Sequence, residues 1–192
     1  MLGSNKKISQ IEPKVSFSRR RFLAGSSCIA AGLILPPSLS NAAVIPERQL
    51  AFHHTHTGEQ LKVTYWADGA YIEDGLREVK QLLRDHRTGD THTIDPELLN
   101  LLHRLQLQLD SRKPFHIISG YRSPKTNNML RSKSGGVAKR SLHMDGKAID
   151  IRLPGRDLRA LHRAAKAERA GGVGLYVGSD FVHVDTGRVR YW

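Results

Sequence analysis

Two short segments constrain this chain more than any other: Lys147 to Leu153 and Phe181 to Asp185 both alternate apolar and polar residues. A period of two belongs to a strand whose successive side chains point to opposite faces of a sheet. Counted that way, Ile149, Ile151 and Leu153 form an apolar face, with Ala148, Asp150 and Arg152 opposite. In the second segment Val182 and Val184 take the apolar side, and Phe181, His183 and Asp185 the other. The chain must therefore build a sheet with one buried face. If the two strands are neighbours in register, Asp150 and His183 meet on the polar face. His143 stands seven residues before Asp150, too far along one continuous strand, but the turn signal Asp145-Gly146 between them folds it back.

Those three residue types suggest a metal. Two imidazoles and one carboxylate, His143, His183 and Asp150, supply three ligands suited to Zn²⁺ and leave a fourth tetrahedral position open, as a hydrolase requires. The competing explanation is that the chain has 10 histidines, so chance pairs are common and any one can be a surface residue. His53, His54 and His56 look similar but read as hairpin surface, since no cysteine or carboxylate stands beside them at ligand spacing. No role is assigned to His86, His92, His103, His116 or His162.

The remaining pattern is that of an α+β domain. Leu50 to His56 and Leu61 to Trp66 alternate around Gly58 and predict a β-hairpin at an edge. Ile72 to His86 repeats its apolar residues at helical spacing and stops at Thr88-Gly89-Asp90. A second helix starts with Asp95 as N-cap and Pro96 in its first turn, and runs to Leu109. Phe115 to Ser119 predicts a strand that enters the turn Gly120-Tyr121-Arg122-Ser123-Pro124, which brings Arg122 to the strand end as a site candidate. Ser123 to Lys139 reads as a short helix and a loop over a cleft. Asp157 to Ala170 predicts a further helix and Val173 to Val177 a further strand, with no internal repeat or low-complexity tract.

Residues 1–42 read as an export leader, followed by one domain over 43–192. Ser18-Arg19-Arg20-Arg21-Phe22-Leu23 matches a twin-arginine signal. The apolar run Phe22 to Leu35 is shorter than the roughly 20 residues of a membrane span, and Ser40 and Ala42 suit cleavage after Ala42. The expected location is the periplasm, reached through the twin-arginine export machinery, with no membrane anchor after cleavage. The net charge of +12 falls by 5 without the leader, to about +7. A basic exported domain suits an anionic wall polymer, and export argues against nucleic acid. The one cysteine, Cys28, lies in the leader, so the domain has no disulfide and relies on a hydrophobic core.

The pattern Ser141-x-His143-x-x-Gly146-x-Ala148-x-Asp150 with a distant His183 resembles the LAS-type zinc peptidases, which include the zinc D-Ala-D-Ala carboxypeptidases. The resemblance is closer still to the murein endopeptidase K family. It is carried by His56-Thr57-Gly58-Glu59, Ile94-Asp95-Pro96, Ser119 to Ser123, Val137-Ala138-Lys139, Ala170 to Gly174, Phe181 to Gly187 and the terminal Trp192. It implies a hedgehog/DD-peptidase-like α+β fold, an antiparallel sheet packed by helices with zinc on its polar face. It also implies an enzyme that cuts peptide cross-links of peptidoglycan, with His143, Asp150 and His183 as zinc ligands. By the same analogy Arg122 stabilises an oxyanion or holds a substrate carboxylate. Its alternative is a surface turn arginine.

Family members place an acidic residue three positions before the last zinc histidine, which makes Asp180 the expected general base. Asp185 competes for that role, or else orients the imidazole of His183. Three other functions remain: trimming of terminal D-Ala by a carboxypeptidase, a silent zinc-containing wall-binding module, and a basic nucleic-acid binder. The last lacks an aromatic platform.

Overall fold

The computed structural model describes residues 46–192; the leader motif, Cys28 and the cleavage position after Ala42 lie outside the described residues. The chain begins with the expected hairpin, β1 (Arg48–His54) and β2 (Gln60–Ala67), followed by a two-residue strand β3 (Ala70–Tyr71). Helices α1 (Glu73–Leu82) and α2 (Pro96–Gln108) come next. The Asp95 side chain accepts a hydrogen bond from the Glu97 amide, so the N-cap lies where the sequence places it. Helix α1 stops four residues short of His86, and the backbone then turns through Asp85 to Gly89.

β4 (Phe115–Ser119), α3 (Pro124–Lys133), a 3₁₀ turn (Leu142–Asp145), β5 (Ala148–Arg152), α4 (Leu158–Glu168), β6 (Gly172–Tyr176), β7 (Phe181–Asp185) and β8 (Arg190–Tyr191) complete the order. One eight-stranded sheet runs β3-β2-β1-β4-β5-β7-β6-β8. The expectation of a wholly antiparallel sheet is corrected, because β1 pairs with β4 and β6 with β8 in parallel. Both exceptions follow from connectivity. The long excursion through α1 and α2 is the kind of crossover that a parallel neighbour requires. β8 reverses direction after β7 and so runs with β6, which also opposes β7.

The apolar face predicted for β5 and β7 is the core. Ile149, Ile151, Val182 and Val184 are fully buried, together with Leu50, Phe52, Phe115 and Ile117 from neighbouring strands. Helices α1, α2 and α4 cover this face. Tyr65 is buried there too, and its hydroxyl is satisfied by the Leu99 carbonyl and Asn100.

The reading of His54 as surface is also corrected. It shares parity with Leu50 and Phe52, so β1 turns it inward and it is fully buried. Its Nδ1 accepts from the amides of His56 and Thr57 and thereby closes the hairpin turn. His56 remains exposed and stacks on His86 at 4.2 Å between ring centroids. Among the described residues no helix is long and apolar enough to cross a membrane.

Candidate metal centre

The strand pairing determines the site. β5 and β7 are antiparallel neighbours, and Asp150 lies directly opposite His183. His143 comes from the 3₁₀ turn, which ends at Gly146 in the left-handed region with φ 65°. A side chain at Gly146 would also run into the Thr93 carbonyl, so this reversal requires glycine. The folded-back loop brings His143 Nε2 within 3.3 Å of both Asp150 Oδ1 and His183 Nδ1. His183 Nδ1 is 2.9 Å from Asp150 Oδ1.

Each ring is held in a defined orientation from behind. The Gly120 carbonyl lies 2.7 Å from His143 Nδ1, and a carbonyl only accepts, so that nitrogen carries the proton and Nε2 presents its lone pair. His183 Nε2 lies 3.1 Å from Asp185 Oδ2 and donates to it, which turns Nδ1 toward Asp150. Two nitrogens at about 2.0–2.1 Å from a tetrahedral zinc stand roughly 3.3 Å apart, close to the spacing of these donors. The three side chains are buried, and among the described residues they form the one His/Cys/Asp/Glu group whose donor atoms converge closely enough for a metal ion. The donor set fits zinc.

For Asp150 and His143 the electrostatics agree with this geometry. Burial works against the charge of Asp150, yet His143 and His183 beside it hold its carboxyl well below the usual carboxylate range. Burial pushes the His143 imidazole down, which favours the neutral, ligand-competent ring. Burial also acts to lower His183, but its hydrogen bonds to Asp150 and Asp185 outweigh that and raise it.

Asp185 is fully buried and its oxygens are saturated. Oδ1 accepts from the Gly172 and Gly187 amides and from Arg190, while Oδ2 takes His183 Nε2 and Arg190 Nη2 at 2.6 Å. Burial opposes its charge, and these bonds hold its carboxyl far below the ordinary value. Asp180 is in a different environment. It follows a 3₁₀ turn at φ 52°, its side chain is 61% exposed, and Oδ2 pairs with Arg152 Nη1 at 2.7 Å. Arg152 stands two residues beyond Asp150 on the same face of β5. No hydrogen bond joins Asp180 to the three donors.

Arg122 lies inside the site. Its side chain is 12% exposed, and Nη2 reaches Ser119 Oγ at 3.2 Å and Asp150 Oδ2 at 3.4 Å. The Arg122 amide donates to the His143 carbonyl, which ties the two loops together. The donors open into a cleft of about 630 Å³. It is lined by residues of α3 and the loop to Arg140, and by Tyr176, Phe181 and Trp192.

Several of these residues escape a sequence reading. Arg190 carried one available signal, since a buried Asp185 needs a nearby cation. The aromatic side depends on Gly174, where any side chain would strike the Trp192 ring. Trp192 Nε1 donates to the Tyr176 hydroxyl at 2.8 Å, and Tyr176 stacks on Phe181. Nothing in the local pattern marks the Gly120 carbonyl as the partner of His143.

A family profile described as peptidoglycan L,D-endopeptidase MepK matches residues 42–192. The chain belongs to that family. A relative of that name from Escherichia coli strain K12 is 41% identical over 180 residues, covering 93% of this chain and 99% of the relative. A Shigella flexneri relative of the same name shows the same figures. A protein from Haemophilus influenzae named probable peptidoglycan L,D-endopeptidase MepK is 40% identical over 181 residues, covering 93% of this chain and 97% of that one.

Proposed function

We propose that this protein is an exported zinc endopeptidase that hydrolyses peptide cross-links of peptidoglycan. The observation that carries the reading is the convergence of His143 Nε2, Asp150 and His183 Nδ1 at the floor of an open cleft. Family membership supplies the substrate: the relatives are named for L,D-endopeptidase activity on peptidoglycan, which favours L,D cross-links such as diaminopimelate-diaminopimelate over D-Ala-diaminopimelate. The site on the polar face of a helix-packed sheet supports a hedgehog/DD-peptidase-like fold.

Bound by His143, Asp150 and His183, zinc would polarise a scissile carbonyl and acidify a water in its open position. The protein's own groups account for the rest. Asp185 holds the His183 ring by its Nε2 proton and has no free oxygen for chemistry, so its role is positioning. Asp180 keeps one carboxylate oxygen free and is exposed near the strand end, which suits it to take a proton from water and deliver it to the leaving amine. Arg122 is fixed at the cleft floor, where it stabilises an oxyanion or anchors a substrate carboxylate. Residues 1–42 act as a twin-arginine signal that delivers the domain to the periplasm without a membrane anchor.

Purified cross-linked wall peptides, incubated with the protein with and without chelator, test the reading. Chelator-sensitive conversion of dimers to monomers is the expected result. Release of D-Ala alone would make the protein a carboxypeptidase, and no product with zinc bound would make it a wall-binding module.

A further inference from the structure

The cleft is lopsided in charge. Among the described residues, Asp150, committed to the donor cluster, is the one acidic side chain lining it, against four cations. Two of those cations are engaged, Arg190 with Asp185 and Arg122 with Ser119 and Asp150. Lys133 and Arg140 are exposed and make no ion pair among the described residues. They stand at the two ends of one segment, Lys133 closing α3 and Arg140 leading into the 3₁₀ turn that carries His143. The segment is tied down between them, because the fully buried Asn127 of α3 donates to the Ala138 carbonyl at 3.2 Å. Tyr176, Phe181 and Trp192 also line the cleft.

A peptide laid across the donor cluster therefore meets aromatic side chains and two uncommitted positive charges. We propose that Lys133 and Arg140 select the substrate by its free carboxylates, so that stem peptides whose side-chain and terminal carboxyls are unamidated are preferred over their carboxamides. This rests on the cross-link reading for the nature of the peptide and adds the chemical feature that is recognised. Charges of one sign lining a concave surface raise the local concentration of an oppositely charged ligand, and the effect weakens as salt shortens the Debye length. Each exposed pair is worth little alone. Two acting on one tethered ligand give a preference of about 10-fold at low salt.

The test uses the zinc-loaded protein and a cross-linked peptide whose scissile amide is replaced by a ketomethylene group, prepared with free carboxylates and as the carboxamide. Kd is read by fluorescence anisotropy at low and high salt. The wild type is expected to favour the carboxylate form by about 10-fold at low salt and less at high salt. Lys133→Gln combined with Arg140→Gln should collapse the preference below about twofold, whereas Lys133→Arg keeps it. Equal binding of both peptides by the wild type, or an undiminished preference in the double variant, overturns the proposal. If the carboxylate preference holds but no cross-link is hydrolysed in the wall-peptide assay, this recognition stands and the catalytic reading fails.

Discussion

Asp150 and His183 face each other directly across the β5/β7 pair, with Oδ1 of one 2.9 Å from Nδ1 of the other. A slip of one residue would send either side chain into the core and Val182 or Ile151 into the cleft. The buried apolar face therefore enforces the register that brings the donors together: the residues that stabilise the sheet also align the candidate metal site.

Asp185 tests how far that alignment depends on support from behind. Replacing it by asparagine removes the charge that holds both His183 Nε2–H and Arg190. Zinc affinity should fall by about 10- to 100-fold, as is typical when the partner behind a ligand histidine is lost. Competition against a chromophoric chelator measures it. Unchanged affinity would mean that the strand alone orients the imidazole.

For Asp180 the expectation separates chemistry from metal binding. Asp180→Asn should lower the hydrolytic rate by about 10²- to 10⁴-fold, the range for a lost general base. Zinc content should stay at the wild-type level, because this exposed side chain pairs with Arg152 and makes no hydrogen bond to the three donors. Wild-type turnover in this variant would remove Asp180 from the mechanism.

How much of this could be read beforehand depended on whether the cause was local. The facing of Asp150 and His183 follows from strand alternation, and the Asp95-Pro96 helix start from cap chemistry; both are found where the sequence places them. The burial of His54 was legible too, since it shares parity with Leu50 and Phe52, but histidine chemistry argued for the surface and packing decided otherwise. β3 and β8, two residues each, are too short to carry a period. The saturation of Asp185 depends on Gly172 from another strand and Arg190 beyond a turn, and no local spacing reports contacts of that kind.

The histidines away from the site make stability depend on pH. Burial, reinforced by Arg87 and by His56, lowers His86 to about 4, and burial lowers His54 as well. As pH falls below the ordinary histidine value near 6.5, the unfolded chain takes up protons that these rings refuse, so unfolding becomes easier down to about pH 4. His183 adds no slope in this window. Its value is raised, so its contribution is complete below 6.5 and fades only at higher pH. Urea midpoints measured in chelator from pH 6.5 to 4.5 should decline, and His86→Phe, which keeps a ring against His56 without the proton, should make the decline shallower. An equally steep decline in that variant would place the acid sensitivity elsewhere.

Gly146 and Gly58 separate backbone strain from steric conflict. Both have positive φ, 65° and 74°, so alanine at either position should cost about 1–3 kcal/mol in strain. Around Gly58 a new methyl meets open space, whereas at Gly146 it collides with the Thr93 carbonyl. The Gly146 carbonyl also accepts from the Asp95 amide, and the Asp95 carboxylate accepts from the Thr186 hydroxyl just beyond β7. A shift at Gly146 thus disturbs the His143 turn, the start of α2 and the end of the strand that carries His183. Gly146→Ala should destabilise the protein more than Gly58→Ala in urea denaturation and should weaken zinc binding, which Gly58→Ala leaves intact. Equal losses in the two variants, with zinc affinity unchanged in both, would show that the Thr93 contact relaxes without cost and that the His143 turn does not depend on glycine for its position.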